Sequence, residues 1–160
     1  MDHVLGRKYF ETTNDSVLHG LRLELKTLLK KIQDNSSLFA SAGGWLNELS
    51  EGLAEEPLRF QSFAGPGRKL GESAVRFFME RCQVTSNADQ YGKIRALYDS
   101  KKVAPWLKNY LLALKDYGNE QVHDDTATYK PTTVSHNDLL TLLCSISGVL
   151  RLWLGWDDLS

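Results

Sequence analysis

Two cysteines, four prolines and two methionines are all that 160 residues contain of these types. Two thiols, Cys82 and Cys144, build no disulfide framework; both lie in segments of helical apolar periodicity, so both are expected to be buried. Charge excess is missing as well. Nineteen basic and twenty acidic residues leave a net charge of −1, which removes any global pull toward nucleic acid or an anionic bilayer. Contact with RNA or DNA then requires a local basic patch. No run of about 18 consecutive apolar residues occurs, so no membrane span is expected. The opening Met1-Asp2-His3-Val4-Leu5-Gly6-Arg7-Lys8 lacks the apolar run of a signal peptide, and a cytoplasmic location is the expectation. Strand-type alternation, internal repeats and low-complexity tracts are absent. So are a metal-ligand cluster, a Gly-rich phosphate loop and a nucleophile elbow, so neither metal nor cofactor is expected.

What is present is ordinary apolar content, 42% hydrophobic against 24% charged, in a helical rhythm almost throughout. That length and composition suit one domain, or one domain with an extension. Asp15-Ser16 can cap a helix with apolar positions Leu18, Leu21, Leu25, Leu28 and Ile32, ending at Asn35-Ser36-Ser37. A short helix follows Gly43-Gly44 with Trp45, Leu46, Leu49 and Leu53, and Pro57 closes that stretch. Ala64-Gly65-Pro66-Gly67 is the clearest turn or linker signal in the chain. It predicts a division into residues 1–63, an N-terminal helical extension, and residues 64–160, a helical bundle. A third helix is predicted from about Pro66, through Leu70, Ala74, Phe77, Phe78 and Cys82.

Ser86-Asn87-Ala88-Asp89 resembles a capping box with Asp in place of Glu, ahead of a short helix with Tyr91, Ile94, Leu97 and Tyr98. Pro105 suits the start of the next helix, and residues 126–133 read as a loop. Ser135 with Asp138 can cap a last helix that is apolar over more than one stripe, and that helix is therefore predicted to be central. The fold class is all-α: an antiparallel helical bundle of about six helices.

The chemistry-bearing stretch is Leu114-Lys115-Asp116-Tyr117-Gly118-Asn119-Glu120-Gln121-Val122-His123-Asp124-Asp125. On a helix each step of four residues drifts by about 40°, so Lys115, Asn119 and His123 share a stripe about 80° wide. Beside it runs the apolar stripe of Leu107, Leu111, Leu114, Gly118 and Val122. A cation, an amide and an imidazole thus line the rim of a buried face. Gly118 in mid-helix costs about 1 kcal/mol relative to Ala, which points either to close helix approach or to a helix end.

Residues 67–156 resemble the HEPN superfamily of small helical bundles, in particular a domain found near restriction and abortive-infection genes. Three segments carry the resemblance, in matching order and spacing. They are Arg68-Lys69-Leu70-Gly71-Glu72, then Gly92-Lys93-Ile94-Arg95-Ala96-Leu97 with Val103-Ala104-Pro105, then the Lys115 to Asn119 segment closing on His123-Asp124. The resemblance implies a HEPN-like homodimer that binds RNA or cleaves it without metal, in a prokaryotic antiviral defence or stress system. It also implies an alternative, because some members are non-catalytic scaffolding or protein-interaction modules. Carried over residue by residue, His123 matches the family's His, Asn119 its Gly-Asn asparagine, and Lys115 stands where the subfamily has Arg. Seven residues separate Lys115 from His123, and lysine lacks the planar bidentate fork of arginine.

In these roles His123 is the acid/base, Lys115 the charge stabiliser and Asn119 the positioning group. Glu72 would orient His123 or pair with Lys115; an ordinary surface ion pair, which contributes little, is an equal alternative. Arg68, Lys69 and Lys108 are the candidate substrate-binding cations, drawn from a wider basic set that is otherwise a solvated face. His123 and Asn119 have a structural alternative too, as groups that fix helix packing. Asp124 and Asp125 repel phosphate and favour the imidazolium. The four tryptophans read as core or interface residues.

Overall fold

The computed structural model describes residues 2–35, 43–122 and 134–156, with side chains from residue 16 onward except at positions 36–43 and 120–133. Six helices make up the described chain: α1 (Asp2–Asp34), α2 (Gly43–Leu53), α3 (Gln61–Cys82), α4 (Gln90–Ser100), α5 (Leu107–Val122) and α6 (His136–Leu154). No strand occurs among the described residues. The fold is an all-α helical bundle, as the periodicity predicts.

α6 is the central element. Leu142, Leu143, Ile146, Val149 and Leu150 are fully buried, and Leu139 and Trp153 nearly so. α5, α3 and α1 all pack on it. Its start is the predicted capping box: Ser135 Oγ accepts from the Asp138 backbone N–H, and Asp138 Oδ2 accepts from the Ser135 N–H at 2.9 Å. Tyr117 Oη on α5 donates to Asp138 Oδ1 at 2.9 Å, tying the two helices together. By length and composition α6 is also the one described helix apolar enough to cross a bilayer. More than half of that apolar window is buried inside the bundle, as in the core helix of a packed domain.

α3 and α5 form the most extensive helix pair, and glycine explains how. A Cβ added at Gly67 or Gly71 would sit 3.4–3.5 Å from Leu114, so these two positions, one turn apart on α3, form the notch that receives Leu114. In return, a Cβ added at Gly118 of α5 would lie 2.5 Å from Cβ of Arg68. Close approach is therefore the reason for Gly118, and α5 continues past it to Val122.

Two helix starts, those of α3 and α1, differ from the prediction. Ala64-Gly65-Pro66-Gly67 is not a turn: it lies inside α3, which starts at Gln61. Pro66 removes one N–H near the helix start, and Gly67 serves packing against Leu114 of α5, whereas an added Cβ at Gly65 would meet nothing within 4 Å. The expected division between residues 63 and 64 falls inside this helix. One apolar core spans it, from Leu25, Ile32, Trp45 and Leu49 to Leu70, Phe78, Leu114 and Ile146. α1 likewise begins at Asp2 rather than at a cap near Ser16.

The α4 cap is also displaced. Asp89 is itself the N-cap, its Oδ1 accepting from the Gly92 N–H at 2.9 Å, while Ser86 Oγ accepts from the Ala88 N–H. Of the cysteines, Cys82 is buried as expected but Cys144 is exposed. Trp45 and Trp153 are core residues, Trp156 packs edge-on to Phe78, and Trp106 is exposed. The predicted loop 126–133 lies outside the described residues.

Candidate functional site

α5 presents its apolar stripe to the core: Leu107, Leu111, Leu114 and Gly118 are all buried. The stripe beside it surfaces at the rim, so Lys115 and Asn119 are half-buried. Across the Gly118 contact stands α3, whose Arg68 backbone is drawn close by the missing side chain. Arg68 Nε donates to Glu72 Oε1 at 3.0 Å, one turn along the same helix. A cleft of about 320 Å³ opens between these helices. Arg68, Gly71 and Glu72 line it from α3, Leu111, Lys115 and Asn119 from α5, and Asp89 with Gln90 from the start of α4.

Four of the seven residues singled out in the sequence thus meet in one cleft: Arg68, Glu72, Lys115 and Asn119. Lys69 does not join them. It is one residue on from Arg68, hence about 100° around the helix, and its ammonium pairs with Glu48 of α2 at 3.1 Å. Lys108 lies two turns earlier on α5, where its Nζ stands 4.2 Å above the ring of Tyr98. His123, with Asp124 and Asp125, lies outside the described residues; α5 is described to Val122, the residue before it.

Glu72 is engaged within α3, and its expected role toward His123 concerns a residue outside the described ones. Its partner is Arg68, and Lys115 stands 3.7 Å from the carboxylate of the adjacent Asp116. Both pairs are partly exposed, so their contribution to stability is small. Two cations, Arg68 and Lys115, and two carboxylates, Glu72 and Asp89, line the cleft, so its formal charge is balanced. Arg68 spends only Nε on Glu72, and a guanidinium carries four further N–H donors. Asn119 adds an amide donor and acceptor. Such a set can grip a phosphate or a carboxylate, with Glu72 and Asp89 opposing crowded negative charge.

Sequence reading missed Asp89 and Gln90. The capping-box pattern puts Asp89 in the first turn of a helix it in fact caps, and nothing local places the start of α4 beside α5. Among the described residues no group of three or more His, Cys, Asp or Glu side chains is arranged to hold a metal ion. No protein-family model, curated protein or solved structure matches the chain.

Proposed function

We propose that this chain is a HEPN-like RNA-binding domain of a prokaryotic defence or stress system, and that the cleft between α3 and α5 meets the RNA backbone. The observation that carries the reading is the convergence of Arg68, Lys115 and Asn119, from two helices distant in sequence, on one cleft. In the cleavage form of this proposal His123 takes the proton of a ribose 2′-hydroxyl. The 2′-oxygen then bonds to the adjacent phosphorus, and the P–O5′ bond breaks. A proton returned to the 5′-oxygen completes the step and leaves a 2′,3′-cyclic phosphate. Lys115 and Arg68 would neutralise charge on the pentacoordinate phosphorus, and Asn119 would orient its oxygens. A homodimer bringing two such clefts together is part of the proposal.

A second reading, a non-catalytic module that homodimerises or docks on a protein partner, has its own support. The cleft carries as many carboxylates as cations, and Glu72 already engages Arg68. One set of measurements separates the two. Purified protein is incubated with a mixed RNA pool, with EDTA and without, and compared with His123→Ala and Lys115→Arg. The nuclease reading expects metal-independent cleavage, its loss in His123→Ala with an unchanged melting temperature, and equal or greater activity in Lys115→Arg. An intact RNA pool in all conditions, with RNA binding retained, leaves the binding reading standing alone. No binding at all leaves the protein-interaction module.

A further inference from the structure

Charge along this chain is unevenly distributed, and the imbalance coincides with exposed aromatic rings. Residues 91–108 contain Lys93, Arg95, Lys101, Lys102 and Lys108 against a single acid, Asp99, a net of +4; the remainder of the chain carries −5. In the same segment Tyr91, Tyr98 and Trp106 are 50%, 42% and 55% exposed, and Tyr91 and Tyr98 are the two exposed large apolar residues of α4. A small groove of about 130 Å³ lies between α4 and the first turns of α5. Tyr91, Ile94, Arg95, Tyr98 and Asp99 form one wall and Lys108 with Leu112 the other. Lys108 already stands over the Tyr98 ring. Asp99 faces Arg95 at 3.9 Å, and Lys102 donates to the Cys82 carbonyl at 2.8 Å.

We infer that this α4–α5 corner is a binding surface for single-stranded RNA, on which unpaired bases stack while Arg95 and Lys108 in the groove meet phosphates. Aromatic faces beside a basic track are what an unpaired polyanion with flat bases requires, and a paired duplex hides those bases. The position is also apt. Lys108 and Leu112 line this groove, while Lys115 and Asn119 line the α3–α5 cleft. These four residues follow one stripe of α5, and Lys108 and Lys115 are about 10 Å apart along its axis. A strand held at the corner is therefore fed along α5 into the cleft. The inference rests on the RNA reading for the identity of its ligand, but not on the chemistry of the cleft.

The test is fluorescence anisotropy with a labelled oligouridine 12-mer and with an RNA duplex of equal length. The single strand is expected to bind more tightly than the duplex. Tyr98→Ala is expected to weaken it about tenfold, and Tyr98→Phe, which keeps the ring, to stay within about twofold. The double variant Arg95→Ala/Lys108→Ala, which removes the two cations lining the groove, should reduce the slope of log affinity against log salt by about two. It also carries the test should Tyr98→Ala lower the melting temperature. Equal binding of duplex and single strand overturns the inference. So does wild-type affinity in Tyr98→Ala when Arg68→Ala/Lys115→Ala binds weakly, an outcome that leaves the cleft reading intact. Weak binding by Tyr98→Ala with wild-type affinity in Arg68→Ala/Lys115→Ala supports the corner and removes the cleft. A wild-type protein that binds neither RNA removes both.

Discussion

Gly118→Ala puts the packing of the candidate site to a quantitative test. The added methyl would lie 2.5 Å from Cβ of Arg68 and 3.0 and 3.1 Å from its Cγ and Cδ. Carbon atoms rest at about 3.5–4.0 Å, so relief needs a shift of about 1 Å. The nearest obstacle is a Cβ fixed to the α3 backbone, so rotating the arginine side chain gives no escape. α3 and α5 must part, and Leu114 must loosen from the notch at Gly67 and Gly71. Overpacking of this kind costs about 1–3 kcal/mol, and a backbone-anchored clash belongs at the upper end. Replacing a helical glycine by alanine returns about 1 kcal/mol.

The net expectation is a loss of about 2 kcal/mol, which for a chain of this size lowers Tm by about 4–8 °C. Urea denaturation followed by circular dichroism measures it, with an unchanged m-value showing that the denatured state is not the cause. Gly20→Ala is the control. Gly20 is exposed within α1, and nothing lies within 4 Å of its added Cβ. There the helix propensity acts alone, and a gain of about 1 kcal/mol is expected. If Gly118→Ala stabilises as much as Gly20→Ala does, the close α3–α5 contact is not as described.

Other perturbations test separate parts of the structure. The Asp138 carboxyl is held below its usual range by the Ser135 backbone N–H, then by the Ser135 and Tyr117 hydroxyls. A depressed carboxylate stabilises the fold above its unfolded pKa of about 3.9, and the contribution is lost as pH falls through the folded value. Asp138→Asn should therefore be less stable than the parent at neutral pH, and the gap should narrow on acidification below about 4, as followed by urea titrations across pH. Trp45 Nε1 donates to the buried Ser73 Oγ at 3.2 Å. Ser73→Ala strands that N–H and should cost about 1–3 kcal/mol by chemical denaturation. With an aromatic disulfide reagent, the folded protein should expose one accessible thiol, Cys144, and the unfolded chain two; burial protects Cys82 and raises its pKa, while partial desolvation and then Glu24 also raise that of Cys144, so its reaction should quicken at alkaline pH.

Elements with a local signal were legible in the sequence. Trp45, Leu49 and Leu53 mark α2, Ile94 and Leu97 mark α4, and Ser135 with Asp138 marks the start of α6. The stripe arithmetic also placed Lys115 and Asn119 correctly at the rim of α5. Reading failed where a residue answers to a distant neighbour. Gly65-Pro66-Gly67 looks like a turn, yet Gly67 exists to admit Leu114, which is 47 positions away. Lys69 looks equivalent to Arg68 until α2 supplies Glu48 on its side of the helix. Tyr91 and Tyr98 read as apolar positions of a short helix, and only the packing of α4 shows that they remain outside. Such facts are tertiary, and local sequence carries no trace of them.

The burial of α6 has a consequence for how the molecule is made. α1 ends at Asp34 and finds its packing partner in a helix that begins at His136, roughly 100 residues later. At ordinary elongation rates of 5–20 residues per second, about 5–20 s separate the synthesis of the two. Throughout that interval Leu25, Leu28, Leu29 and Ile32 lack the helix they are to cover. The α3–α5 unit can assemble on the ribosome, but the shared centre arrives only with α6. The nascent chain therefore presents a greasy α1 face before it presents a fold, and its yield depends on what binds that face first.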